Sequence, residues 1–157
     1  MTIISPQLSD LDQIIPLWHQ DTIFHADLDP KYYIEYDESS DENDRIYLTN
    51  AITQGQPQIS VAKINEKVVG LITYETGKPS YQDTILDNFG EILELFVDPN
   101  YRSQGIAKEL MAYAENYFKK SGLKYMKLAV SAFNAYAIGL YQKLGYIDRQ
   151  HLMFKQL

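Results

Sequence analysis

The 157-residue sequence contains no cysteine, which excludes disulfide bonds, metal sites built from thiolates and cysteine nucleophiles. Histidine, the other common metal ligand, occurs only three times, at His19, His25 and His151, and without the spacing of a metal-binding motif. We therefore expect no bound metal ion.

Long apolar runs are also absent. No stretch approaches the roughly 18 to 20 apolar residues that a membrane-spanning helix needs. The first residues, MTIISP, lack the basic segment and following apolar segment of a secretion signal. The sequence therefore predicts a cytoplasmic protein without a membrane segment, and its length predicts a single domain over residues 1–157.

Positive charge is scarce, with 14 basic residues against 21 acidic ones and a net charge of −7. Residues 21–45 hold nine acidic and two basic residues, so this acidic segment alone accounts for the net charge. A nucleic-acid partner is disfavoured, because binding to phosphates normally needs a basic surface. The acidic segment is either a solvated loop or a rim that attracts a cationic substrate.

Hydrophobic periodicity predicts alternating strands and helices, which indicates an α/β or α+β fold. Strands are predicted at residues 2–5, 59–64, 67–75, 91–97 and 125–130, with a final strand or hairpin at 146–155. Helices are predicted at residues 9–18, 44–54, 105–120 and 134–144. The strand–helix–strand order of the second half predicts parallel neighbouring strands joined by a helical crossover.

One turn carries a chemical signal. Between the predicted strand 91–97 and helix 105–120, the sequence reads DPNYRSQG. A glycine at a helix start leaves backbone N–H groups open at the positive end of the helix dipole, and Arg102 adds a charge. This pattern fits a pyrophosphate site, and it fits a plain strand–helix turn capped by Ser103 as well. Neither GxxxxGK[ST] nor GxGxxG is present, which disfavours a nucleotide triphosphatase or a dinucleotide-binding fold.

Two motifs resemble those of a known family. Residues 97–107, VDPNYRSQGIA, are similar to the central motif of the GNAT N-acetyltransferases, [Q/R]-x-x-G-x-[G/A] after a strand. Arg102, Gly105 and Ala107 match that motif directly. Residues 134–146, NAYAIGLYQKLGY, resemble the later helix of the family, which ends in Tyr-x-x-x-Gly-[Phe/Tyr]. The two motifs occur in the expected order and at the expected spacing.

The resemblance implies a mixed, mostly antiparallel sheet of six to seven strands with helices on both faces. The fourth and fifth strands would splay apart to hold acetyl-CoA, with the pantetheine arm bound by the backbone of Leu95, Phe96 and Val97. Asn134 would contact the same co-substrate, unless it is only the N-cap of its helix. The pyrophosphate would be held by Arg102, Ser103, Gln104, Gly105, Ile106 and Ala107.

The implied activity is transfer of an acetyl group from acetyl-CoA to a primary amine by direct attack, without a metal or a covalent protein intermediate. An alkylammonium must first lose a proton, and Glu94 is the candidate base, with Glu91 as its competitor. Strict alternation places Glu94 on the face opposite Leu95 and Val97, and Glu91 on their face, but a bulge would change that relation. Tyr141 matches the family position that protonates the CoA thiolate, although its helical spacing also suits a core residue.

A different class of function uses the same turn: a non-catalytic acyl-CoA sensor. Glu94 and Tyr141 favour the enzyme, because a sensor needs neither. The acceptor would be a small-molecule or peptide amine, and the acidic segment favours a cationic one. Many similar proteins are homodimers, so a homodimer is compatible with the resemblance.

Overall fold

The computed structural model describes residues 1–80 and 84–155. Its sheet has five strands in the order β1-β2-β3-β4-β5. The strands are β1 (Thr2–Ile4), β2 (Gln58–Ile64), β3 (Lys67–Gly77), β4 (Phe89–Val97) and β5 (Met126–Leu128). The helices are α1 (Leu11–Leu28), α2 (Asp41–Gln54), α3 (Ile106–Lys120) and α4 (Ala135–Lys143). The predicted surface connection before β4 includes residues 81–83, which lie outside the described residues.

The sheet is mixed and mostly antiparallel, as predicted. The pairs β1–β2, β2–β3 and β3–β4 are antiparallel, whereas β4 and β5 are parallel and joined through α3. The β2–β3 hairpin turns at Asn65 and Glu66, whose φ values of 48° and 64° close the tight turn between the two strands.

Helices cover both faces of the sheet, because each face presents its own apolar side chains. On one face, Leu71 and Phe96 pack with Ile14 and Leu17 of α1 and Leu48 of α2. On the other face, Ile72, Ile92 and Val97 pack with residues of α3 that include Leu110 and Phe118. Among the described residues, no helix combines the length and apolar character needed to span a membrane.

A β-bulge at Leu93 fixes where the two candidate bases point. Thr73 lies opposite Glu94 and Tyr74 lies opposite Ile92, so Leu93 is the extra residue of β4. Glu91 lies opposite Glu75, two residues from Thr73, so both glutamates share one face of the sheet. The side chain of Glu94 therefore lies on the face opposite to that of Leu95 and Val97, as alternation predicts. For Glu91 the alternative with a bulge holds, and strict alternation does not, because the bulge moves Glu91 to the face of Glu94.

The splay between β4 and β5 is present. The parallel pairing covers only three residues of β4, from Gly90 to Ile92. Beyond Ile92, β4 remains paired with β3, but no strand in the described part of the chain pairs with its other edge. This half of β4 therefore offers an open backbone edge.

The strand count of six to seven is wrong: the described residues contain five strands. The predicted final strand or hairpin at 146–155 does not form, because residues 146–155 find no partner strand in the described chain. Leu152, Met153 and Phe154 are exposed, so little burial offsets the entropy lost in ordering a strand there.

Candidate active site

Two carboxyl groups meet at the open edge of β4. Asp21 lies on the buried face of α1, one turn after Leu17 and two turns after Ile14. Only 6% of its surface is exposed. It faces the partly buried Glu94 of β4. One ligand atom from each of Asp21, His25 and Glu94 lies within 4.8 Å of the others.

The two acids share their electrostatic environment. Burial, the charge of Glu94 and a hydrogen bond between the two carboxyls raise the pKa of Asp21 to about 8, whereas the Arg102 guanidinium opposes that rise. Burial also raises the pKa of Glu94, and the hydrogen bond with Asp21 partly offsets it. Burial therefore raises the pKa of both acids, and the two carboxyls interact as a pair.

His25 completes this cluster from the next turn of α1. Its Nε2 lies 3.5 Å from Oδ1 of Asp21, and burial lowers the pKa of the imidazole, which favours the neutral ring. The expectation that the protein binds no metal ion stays a prediction.

Tyr141 interacts electrostatically with the same two acids, and it packs against the core on the α3 side of the sheet. It lies on α4 and is partly buried. Burial and the charges of Asp21 and Glu94 raise the pKa of the phenol to about 12. Tyr141 is therefore protonated at neutral pH and can act as a proton donor.

Glu91, the competing base, has a partner of its own. Its Oε1 lies 2.9 Å from Nζ of Lys127 on β5, in an ion pair across the parallel strands. This contact gives Glu91 a structural role in the paired half of β4, whereas Glu94 lies in the half that β5 leaves open.

The turn before α3 has an open helix start. Gly105 has a φ of 82°, in the left-handed region that favours glycine, and no side chain caps the first turn of α3. A Cβ atom at Gly105 would meet no atom within 4 Å. Buried Asp98 anchors the turn, accepting hydrogen bonds from the Asn100 backbone and from Lys67. Free N–H donors beside open space suit a pyrophosphate.

The other predicted binding residues divide between backbone and side-chain positions. Ser103 and Gln104 are exposed in the turn, and Ile106 is buried in the core, so only its backbone can reach a ligand. Leu95, Phe96 and Val97 lie on the open half of β4. Asn134 is an N-cap, because its Oδ1 accepts a hydrogen bond from the Ala137 N–H; its contact with a co-substrate stays a prediction.

Arg102 points away from the helix start that it was expected to support. Its Nε donates to the Val97 carbonyl oxygen, and its guanidinium lies 5.4 Å from the Phe24 ring centroid and 5.3 Å from that of Phe96. The charge of Arg102 acts on Asp21 instead. Its backbone N–H donates to the Pro99 carbonyl oxygen, so the pyrophosphate contact of Arg102 stays a prediction.

The acidic segment serves more than one purpose. Asp37 accepts a hydrogen bond from the Ser39 N–H, and Asp41, Glu42 and Asp44 lie in the first turn of α2, where negative charge favours the helix dipole. Glu35 and Glu38 are exposed. These two remain candidates for a rim that attracts cations.

Tyrosines form a wall beside the carboxyl cluster. The ring centroid of Tyr33 lies 5.0 Å from His25 and 4.9 Å from Tyr32, and Tyr32 stacks on Phe154 at 4.9 Å. Tyr36 lies elsewhere: it stacks on His19, and its hydroxyl donates to Asp41.

The sequence interpretation missed Asp21 as a site residue and counted it only as part of the acidic segment. A usable signal exists, because Asp21 follows Ile14 and Leu17 on the apolar stripe of α1 and so falls on the buried face. A buried acid needs a partner, which is a reason to search for one.

Comparisons with known proteins identify a family. The model of the acetyltransferase (GNAT) family matches residues 19–146. An uncharacterized N-acetyltransferase of Methanocaldococcus jannaschii, MJ1207, is 28% identical over 149 residues, which are 95% of this chain. The chain spans 62% of the length of that relative.

Solved structures share the fold. A mutant of the BH1408 protein from Bacillus halodurans matches with a TM-score of 0.85 and 20% identity, over 100% of this chain and 99% of that chain. A PaiA N-acetyltransferase from Thermoplasma acidophilum in complex with coenzyme A matches with a TM-score of 0.72 and 24% identity, over 91% of this chain and 87% of that one.

Proposed function

The chain belongs to the acetyltransferase (GNAT) family, and we propose that it moves an acetyl group from acetyl-CoA to a primary amine by direct attack. The observation that carries the proposal is the position of Glu94, a partly buried acid on the half of β4 that β5 leaves open. A base at that edge lies beside the place where a thioester arm could be held as an added strand.

The co-substrate would be held by two parts of the chain. The open edge of β4 from Leu95 to Val97 would bind the pantetheine arm, and the N–H groups of the turn from Ser103 to Ala107 would bind the pyrophosphate. A PaiA N-acetyltransferase of the same fold was solved in complex with coenzyme A, which supports coenzyme A as the ligand of this fold. Acetyl-CoA supplies the activated acetyl group.

Glu94 would activate the amine. An alkylammonium of lysine-like pKa, about 10.4, is mostly protonated at neutral pH and cannot attack a thioester. Glu94 would take that proton, directly or through one water, and burial raises its pKa toward the value that a general base needs. The C–N bond then forms in a tetrahedral intermediate, and the C–S bond breaks as that intermediate collapses. Tyr141 would protonate the departing thiolate, and the second proton of the nitrogen would return to the Tyr141 oxygen, directly or through water.

We expect Tyr141→Phe to lower kcat by about 10²-fold and to leave the KM for acetyl-CoA within about twofold. The phenol matters when the thiolate leaves, whereas the ring that packs in the core is retained. Steady-state thiol release measures both constants. The exposed Tyr136 of the same helix provides the matched control, and Tyr136→Phe should behave as wild type. A raised KM with unchanged kcat would contradict the acid role.

The acceptor we propose is a small cationic amine or a basic peptide. Asp21 and Glu94 place acids inside the site, Tyr32 and Tyr33 line its side, and Glu35 and Glu38 lie exposed on the connection between α1 and α2. The negative charges of the acidic groups would attract a second positive charge on the acceptor.

The test of the proposed function is thiol release from acetyl-CoA with matched diamines and neutral amines, at low and physiological salt. We expect kcat/KM to favour the diamines by roughly tenfold at low salt and by less at physiological salt, where the Debye length is about 8 Å. Coenzyme A binding without thiol release for any amine would contradict the enzyme and support the sensor.

The role of the exposed acids is tested with a double variant. Glu35→Gln with Glu38→Gln should reduce the preference for diamines, and Asp37 is left intact because it caps a turn. Glu66→Gln with Glu115→Gln removes the same charge elsewhere and should leave the preference unchanged. Equal preferences in both double variants would exclude the acidic rim.

A further inference from the structure

The buried acid Asp21 has no task in the direct-attack reaction. It lies on the core-facing stripe of α1, yet its carboxyl is directed at Glu94 rather than paired with a cation. A buried carboxyl next to another carboxyl costs free energy unless the two share a proton. A purely structural site would be better served by an apolar side chain.

Neighbouring groups offset only part of the free-energy cost of burying the Asp21 carboxyl beside Glu94. Arg102 acts on it from the turn after β4, but the guanidinium is already placed over Phe24 and Phe96 and bonded to the Val97 carbonyl. His25 lies 3.5 Å away on α1, and burial favours its neutral form. Within the described chain, the pair also interacts electrostatically with Tyr33, Tyr47 and Tyr141.

We propose that Asp21 is a positioning residue for Glu94: the two carboxyls share one proton, and this hydrogen bond holds the carboxylate of the proposed base at the open edge of β4. The inference rests on the proposed function and adds a residue from α1 to it. Glu94 then carries the negative charge at neutral pH, while Asp21 keeps the proton.

Such a pair titrates as a unit. Loss of the first proton leaves a stabilised, singly protonated pair, and loss of the second is delayed because two like charges are then buried side by side. The upper ionisation should fall well above the ordinary range of an aspartate, because Asp21 is buried and lies beside a second carboxyl. The kcat/KM for the acceptor should respond to loss of the second proton, because an ionised Asp21 increases the proton affinity of Glu94.

A direct test follows the side-chain carboxyl carbons of the wild-type protein by carbon-13 NMR between acidic and alkaline pH. We expect the Asp21 and Glu94 carbons to report the same two ionisations, the upper one near or above neutral pH. In Asp21→Asn, Glu94 should show a single ionisation. Asp12→Asn removes an exposed carboxyl from the same helix and should keep both steps.

Independent titration of Asp21 and Glu94 at ordinary carboxyl values in the wild type would overturn the proposal. This result is decisive even if the Asp21 variants fold poorly, because it uses the unaltered chain.

The kinetic readout separates positioning from packing. The pH profile of wild-type kcat/KM should contain the upper ionisation of the pair, and Asp21→Asn and Asp21→Ala should both lose it. The pH profile of every variant should still contain the ionisation of the acceptor's own ammonium group. A purely structural Asp21 would instead lower kcat/KM by one factor at every pH and keep the step.

The two proposals fail in different ways. Absence of acetyl transfer in the wild type, with a shared proton visible by NMR, overturns the proposed function and supports the carboxyl pair. Acetyl transfer with independent titration of the two acids overturns the pair and leaves the acetyltransferase assignment intact.

Discussion

Replacement of Glu94 by glutamine should lower kcat/KM for the amine by about 10²- to 10⁴-fold while coenzyme A still binds with nearly wild-type affinity. Glutamine has the shape of the glutamate but cannot accept the proton of the ammonium. The side chain lies on the face of β4 opposite Leu95 and Val97 and apart from the turn before α3, so binding of the pyrophosphate should not depend on it. Thiol-release kinetics and calorimetry with coenzyme A measure the two effects separately.

Glu91→Gln provides the matched control on the same strand and the same face. It removes the ion pair with Lys127, which is partly exposed and contributes little to stability, so kcat/KM should change by less than about twofold. The pH profile should also be retained in Glu91→Gln and lose its carboxyl ionisation in Glu94→Gln. If only the Glu91 variant changed the pH profile, the base would be Glu91.

The Gly105→Asp variant should weaken coenzyme A binding by about 100-fold or more. The substitution places a carboxylate in the open space at the start of α3, where a bound pyrophosphate would lie, and juxtaposed like charges cost several kcal/mol. The φ of 82° adds strain for any residue with a Cβ. The dissociation constant from calorimetry tests this effect.

Two variants separate charge from strain. Gly105→Ala carries the backbone strain without the charge and should weaken binding far less. Gly122→Asp makes the same substitution at another left-handed glycine, φ 77°, beyond the other end of α3, where no atom lies within 4 Å of the added Cβ. It should bind coenzyme A as the wild type does. Equal losses in Gly105→Asp and Gly122→Asp would contradict a pyrophosphate site at Gly105.

Local rules predicted the parts of the site that depend on the chain near each residue. Gly105 follows from the small residues before an amphipathic helix, and the hairpin at Asn65 and Glu66 follows from two β-rich runs around a turn. Glu94 was predicted through the resemblance, and its face agrees with simple alternation.

Tertiary packing decided the rest. The bulge at Leu93 depends on the register with β3, which moves Glu91 to the face of Glu94. Arg102 turns toward Phe24 and Phe96 because aromatic faces and a carbonyl oxygen are available there. The pairing of Asp21 with Glu94 joins residues 73 positions apart, which no local pattern encodes. The final predicted strand has suitable residues, but residues 146–155 pair with no strand in the described chain.

The central claim is direct transfer of the acetyl group between acetyl-CoA and an amine in the site at Glu94. It is tested most directly by mixing the protein with acetyl-CoA that is isotopically labelled in the acetyl group, with and without a diamine, and analysing protein and small molecules by mass spectrometry. The account predicts labelled N-acetyl product in amounts equal to the thiol released, and no label on the protein in either mixture. Label retained on a protein side chain, or thiol released without N-acetyl product, would contradict it.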